Sequence, residues 1–124
     1  MLLYHYSDKN IKDKIKTSYF GYNSYSNNSK KLSNIKRSYY YINSNDKEYY
    51  FNSAKYRYTV IINKNKLYNI TLDKLRLVTK YNCNYTKVFN YLVKRGYIGI
   101  IGNNGYNIVN LFININYKIK EILC

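Results

Sequence analysis

Proline and tryptophan are absent from the 124 residues, histidine occurs once, cysteine twice, glycine five times, and Asp and Glu together six times. Each scarcity excludes something. Without proline and with few glycines, turns must rest on Asn, Asp, Ser and those few glycines. One His and two distant Cys leave too few soft ligands for a zinc site built from this chain alone. No CxxC, HExxH, P-loop or GxSxG pattern occurs, which removes the common metal, phosphate-loop and hydrolase signatures. Nucleophilic catalysis would need His5 as its base, and Cys83, between Asn82 and Asn84, carries no mark of an activated thiol. Two cysteines without a secretion signal fit a reduced, intracellular protein. The opening MLL is too short for a signal-peptide core, and no apolar run approaches membrane-spanning length. The expected location is therefore the cytoplasm, without a membrane partner.

Tyrosine and lysine fill the space. There are 19 Tyr and 4 Phe, and the formal net charge is +15. Tyrosine is amphipathic, so many of its rings can be half buried with the hydroxyl wet. Asn, Lys, Ile and Tyr all have AT-rich codons, and part of the lysine excess follows from that bias. The shortage of acids does not, because their codons are nearly as AT-tolerant. The resulting positive field favours nucleic acid, or a protein that binds or mimics it, as a partner. A solvated lysine surface accounts for the same charge equally well.

The length fits one domain, residues 1–124, with no linker and no internal repeat. LLYHY (2–6) reads as a strand. Asp8, Ile11 and Ile15 predict a short capped helix in DKNIKDKIK, because the two isoleucines are four apart. Residues 17–34 read as a long polar loop. IKRSYYYIN (35–43) predicts a strand, 44–56 a short helix with Asp46 and Glu48 in its first turn, and YRYTVIIN (56–63) an internal strand. KLYNI (66–70) is a further strand, followed by a helix over LDKLRLVTK capped by Thr71. The strongest helix is 85–95, with Tyr85, Val88, Phe89 and Leu92 on one face and Gly96 beyond its end. YIGII, GNNG and YNIVNLFINI predict a hairpin, and 116–123 a last strand. The order is α+β: a compact single domain of two small, mostly antiparallel sheets with flanking short helices.

LLYHYS, FGYNSYS, KRSYYYIN, YRYTVIIN with KLYNI, and KRGYIGIIGNNGYNIVNLF follow one another in an order that resembles the ADP-ribosyltransferase superfamily, in particular its small, divergent phage-type members. The resemblance spans nearly the whole chain. It implies an NAD site built from three elements. A first-strand His engages the adenosine-side ribose, and backbone beside it grips the nicotinamide amide. A middle-strand tyrosine stacks on the nicotinamide. A late acid, usually Glu, steadies the oxocarbenium-like centre as nicotinamide leaves. These residue types suit their tasks: a directional hydrogen bond, a flat π face, and a charge opposite to the one that develops.

Carried onto this chain, the first element is His5, with Tyr6 supplying backbone. Tyr40 is the first choice for the stacking ring, with Tyr39 and Tyr41 beside it on the other face of the strand. Arg37 could reach a pyrophosphate in a bidentate manner. Ser18, Phe20, Gly21, Asn23 and Tyr25 could flank the cofactor, Phe20 or Tyr25 as a lid aromatic. The third element departs from the pattern, because no acid occurs between Asp73 and Glu121. Asn107 is the best placed substitute and Asn104 the second, with Asn103 and Asn110 also available; Asp46, Glu48 and Glu121 are the alternative carboxylates. The resemblance thus implies an NAD-dependent ADP-ribosyltransferase, NAD being its substrate, that modifies a host protein or nucleic acid and acts in phage against host defence. A second expectation is a basic binding protein without catalysis, which would hold nucleic acid or an associated host protein through KRSYYY (36–41) and YRY (56–58).

Overall fold

In the computed structural model, residues 1–19, 35–42, 54–102 and 108–123 are described. Ten strands, two α-helices and a 3-10 turn at Lys64–Lys66 occur among them. The strands and α-helices are β1 (Leu2–Ser7), β2 (Lys14–Ile15), β3 (Ser18–Tyr19), β4 (Lys36–Tyr41), β5 (Tyr56–Ile61), β6 (Leu67–Asn69), α1 (Leu77–Lys80), α2 (Tyr85–Lys94), β7 (Gly99–Ile101), β8 (Ile108–Leu111), β9 (Ile115–Asn116) and β10 (Ile119–Ile122). The class is α+β with sheet dominant. The strands gather into one eight-stranded sheet, in the order β10-β5-β1-β4-β8-β7-β6 with β3 also on β4, and a small β2-β9 ladder. The sequence predicts two small, mostly antiparallel sheets; one of the two is instead eight-stranded. Every pairing is antiparallel except β6 with β7.

Register assigns the two faces, since directly opposed residues share a side. Leu3 lies opposite Val60, His5 opposite Tyr58, and Tyr40 opposite Val109. Leu3, Tyr40, Tyr58, Val60, Val109 and Leu111 form one core, closed by Ile11, Ile15, Ile115 and Tyr117. On the other face α2 lays Val88, Phe89 and Leu92 against Tyr68 and Ile100. The α2 periodicity is as the sequence predicts. Asn84 caps it by accepting from the Lys87 amide, and Gly96, at φ 88°, takes the left-handed conformation that ends it.

Two predicted helices differ. Residues 8–16 are not helical. The Tyr58 hydroxyl accepts from the Ile11 amide at 2.7 Å and donates to the Lys9 carbonyl at 2.6 Å, and the Tyr117 hydroxyl donates to the carbonyls of Ile11 and Lys12. These bonds occupy backbone groups that a helix would have paired internally. Ile15 instead pairs with Ile115 in the ladder and is buried. Over 72–80 only Leu77–Lys80 is helical. Arg76 is left-handed at φ 53°, so the helix cannot start earlier, and Leu72 and Leu75 are exposed. The cap is Asp73 rather than Thr71: its carboxylate accepts from the Leu77 and Val78 amides and from the Tyr68 hydroxyl. The strand expected over 106–115 divides, β8 ending at Leu111 and β9 beginning at Ile115. The helix expected over 44–56 lies outside the described residues except for 54–56, where Tyr56 already begins β5.

Candidate functional site

The site begins where the central sheet opens. β1 and β4 pair only at Tyr4 and Tyr41. Further along β4 the same edge is taken by β3, with Ser18 opposite Arg37 and Tyr19 opposite Lys36. In the interval, the imidazole of His5 reaches the backbone carbonyl of Tyr39, Nδ1 to O at 2.7 Å. A carbonyl oxygen only accepts, so Nδ1 carries the proton. His5 is therefore a side-chain rung in place of a backbone one. Its ring packs on Tyr40 at 5.3 Å and Tyr58 at 6.3 Å between centroids. Burial holds its pKa below 6.5, although the bond to Tyr39 works in the opposite direction. The neutral ring then has its lone pair on Nε2, available to accept from a hydroxyl.

A cavity of about 610 Å³ lies at this opening, lined by His5, Tyr6, Ser7, all of residues 9–18, Tyr39 and Tyr41. That volume falls within the usual range of small-molecule and cofactor sites. Lys9, Lys12, Lys14 and Lys16 face a single acid, Asp13, in its wall. The balance is positive and suits a phosphorylated ligand. This wall is the stretch that the sequence presents as a helix. Nothing in its own residues marks it as a cavity wall, because the hydroxyls that shape it come from Tyr58 and Tyr117, far away in the chain.

The expected site residues separate. His5, Tyr6, Tyr39 and Tyr41 come together at the cavity. Tyr41 packs on Tyr6 at 5.8 Å between centroids. Tyr40, the sequence's first choice for a stacking ring, is on the other face and fully buried. Its hydroxyl oxygen accepts from the Ser38 hydroxyl at 3.1 Å, and burial pushes its pKa up to about 12. It belongs to the core face that the His5 ring shares, whereas Tyr39 and Tyr41 alternate to the opposite face of the strand and line the cavity from there. Arg37 is also fully buried and does not line the cavity. Its guanidinium donates to the Ile35 carbonyl and, at 2.9 Å, to the Tyr39 hydroxyl, so it positions Tyr39 rather than greeting a pyrophosphate. Phe20, Gly21, Asn23, Tyr25, Asp46, Glu48, Asn103, Asn104 and Asn107 lie outside the described residues.

Of the late polar residues, Asn110 is described. It lies opposite Tyr39 in the sheet and is buried, and its Oδ1 has no hydrogen-bond partner among the described residues. Glu121 is committed elsewhere: it accepts two bonds from Arg57, at 2.9 and 2.7 Å, across β5 and β10. Among the described residues no three His, Cys, Asp or Glu side chains gather to hold a metal ion. Nor is any described helix long and apolar enough to cross a membrane.

The stretches expected to bind nucleic acid are partly buried. Arg37, Tyr40 and Tyr58 are at 0% exposure, and Arg57 is held by Glu121. KRSYYY and YRY are sheet strands in which Lys36 is exposed and Tyr39, Tyr56 and Arg57 are half-buried. No protein-family model, curated protein or solved structure matches the chain.

Proposed function

We propose that the chain binds NAD in the cavity beside His5 and transfers ADP-ribose from it to a host macromolecule. One observation carries this reading. The three segments that resemble the NAD-binding elements of ADP-ribosyltransferases are neighbours in the sheet: β1 with His5, β4 with Tyr39 to Tyr41, and β8 directly after the late asparagine turn. They are separated widely in the chain, so local sequence alone does not bring them together.

In this reading Nε2 of neutral His5 accepts from a ribose hydroxyl, while its Nδ1–H stays on the Tyr39 carbonyl. Tyr39 or Tyr41 supplies the stacking ring, and the lysines of the 9–18 wall attract the pyrophosphate. The glycosidic bond to nicotinamide breaks with its electron pair leaving on nicotinamide nitrogen. The oxocarbenium-like ribose is then captured by a nucleophile of the acceptor, which loses a proton. Asn107 is the late residue placed nearest the family pattern. An amide lacks the charge of a carboxylate, so slow turnover is expected. The cytoplasm of a host cell supplies both NAD and acceptors.

The experiment is a titration of the protein with NAD, followed by calorimetry and by melting temperature, then incubation with labelled NAD and host lysate. NAD raises Tm by mass action if it binds the folded state alone. His5→Ala and Tyr39→Ala remove the shift and the label. Absence of heat, of a Tm shift and of label in the unaltered protein would overturn the reading.

A further inference from the structure

A second charged surface lies away from the cavity, on the helix pair. In α2 the buried residues are Val88, Phe89 and Leu92. Lys87, Tyr91, Lys94 and Arg95 follow at i, i+4, i+7 and i+8, along one flank of the helix beside that buried face, and Tyr91, like Tyr81, is half-buried and packs against the same core. Lys87, Lys94 and Arg95 are exposed. From α1, Lys80 joins them: its Nζ is 5.2 Å from the Tyr91 ring centroid and 5.5 Å from that of Tyr81. The guanidinium of Arg95 is 5.0 Å from the same Tyr91 ring. Tyr81 and Tyr91 are themselves neighbours at 6.1 Å. One aromatic ring thus gathers cations from two helices that would otherwise repel one another.

Among the described residues no acid is paired with this cluster. No Asp or Glu occurs in the sequence between Asp73 and Glu121. Asp73 is turned to Tyr68 and the α1 amides, and Glu121 is paired with Arg57. Asp8 and Asp13, the other acids among the described residues, accept from the backbone amides of Lys55 and Lys14. A surface selected only for solubility has no need to be so one-signed, since interspersed acids serve that purpose as well.

We infer that the face formed by the exposed Lys80, Lys87, Lys94 and Arg95 around the half-buried Tyr81 and Tyr91 binds single-stranded nucleic acid, its cations on the phosphates and the exposed parts of its tyrosines against the bases. Closely spaced cations with interleaved aromatic rings match the alternation of phosphate and base along a single strand. An acidic polypeptide matches the charge but has no bases for the rings. The inference stands apart from the NAD reading, because it uses none of the cavity residues.

The test uses the full chain without NAD and a fluorescently labelled single strand of about 20 nucleotides, long enough to cover one small domain. Affinity is measured by anisotropy over a range of salt. Lys87→Gln/Lys94→Gln/Arg95→Gln removes three cations from the face. Lys64→Gln/Lys66→Gln/Lys118→Gln removes three exposed lysines elsewhere and is the charge-matched control. The first variant should lower the slope of log K against log salt by about two units, at roughly 0.7 per lost contact. The control should leave the slope close to that of the unaltered chain. Tyr91→Phe keeps a π face and retains affinity, whereas Tyr91→Ala loses it; melting curves establish that each variant is folded. Equal loss in both triple variants would show that net charge, not this face, holds the strand. Equally tight binding of poly-glutamate, insensitive to Tyr91→Ala, would assign the face to acidic polypeptides and overturn the inference.

Discussion

The imidazole of His5 donates to the backbone carbonyl of Tyr39 across 2.7 Å, at the point where β1 and β4 separate. One contact thereby does two things. It satisfies a strand carbonyl that has lost its neighbour, and it fixes which nitrogen of the only histidine holds the proton. The orientation of the ring depends on it.

A pH dependence follows. Burial lowers the folded pKa of His5 below 6.5, so the unfolded chain takes up a proton first as pH falls. Stability is fully present above 6.5 and is lost as pH drops from there through the lower folded value. Melting temperature measured across this interval should fall in the unaltered protein. It should fall less in His5→Gln, which is itself less stable at neutral pH. An equal acid response in both would assign the effect to other groups.

Tyr58→Phe should loosen the cavity wall. Its hydroxyl serves the Ile11 amide and the Lys9 carbonyl together, and a phenyl ring leaves both without it. The expected cost is about 1–3 kcal/mol by urea denaturation, the usual penalty for stranded polar groups. Amide exchange at Ile11 should accelerate more than at Val60, in the core strand. Uniform acceleration would mean that the change acts globally.

Asp73 has its pKa lowered. Burial alone would raise it, but the bonds from the Tyr68 hydroxyl and the Val78 and Leu77 amides together outweigh burial. The same contact, with burial foremost, pushes Tyr68 up to about 12. Asp73 contributes stability above the ordinary carboxylate value of 3.8, lost as pH falls through its lower folded value. Asp73→Ala removes the cap and strains a φ of 42°, with a cost of about 1–2 kcal/mol expected. Asp73→Asn tolerates that backbone and should lose less at neutral pH. Chemical denaturation of both at neutral and acid pH checks the order.

Gly99→Ala should disrupt the join of β7 to β8. A Cβ there would meet the Asn110 carbonyl oxygen at 2.2 Å and Leu111 Cδ2 at 2.9 Å. The first neighbour is backbone and cannot turn aside, so about 1–3 kcal/mol or more of overpacking strain is expected. A melting temperature unchanged in Gly99→Ala would contradict this packing. Gly96→Ala offers a contrast: its Cβ meets nothing within 4 Å, and only the positive φ of 88° opposes it.

Strand residues were legible in the sequence where β-branched and aromatic residues crowd together, as in LLYHYS, KRSYYY and YRYTVI. Helix α2 was legible from its apolar spacing, since Val88, Phe89 and Leu92 turn inward at helical intervals. Residues 8–16 were misleading for a physical reason. Two isoleucines four apart fit a helical stripe, but hydroxyls 47 to 106 residues away offered their backbone other partners. The same remoteness hid the cavity, since half of its wall is that segment.

The sequence by itself determined the positive charge, the lone histidine, the α+β class and the alternation that puts Tyr40 on one face and Tyr39 and Tyr41 on the other. Those are properties of composition and of local period, which no distant contact alters. Only the tertiary structure decided which face is core. Tyr40 is buried beside His5, Tyr39 and Tyr41 line the cavity from the opposite face of the strand, Arg37 is buried behind Tyr39, and exposed cations stand both on the cavity wall and on the helix pair. That choice rests on how strands pair across the sheet, and pairing partners are set by packing between residues remote in sequence.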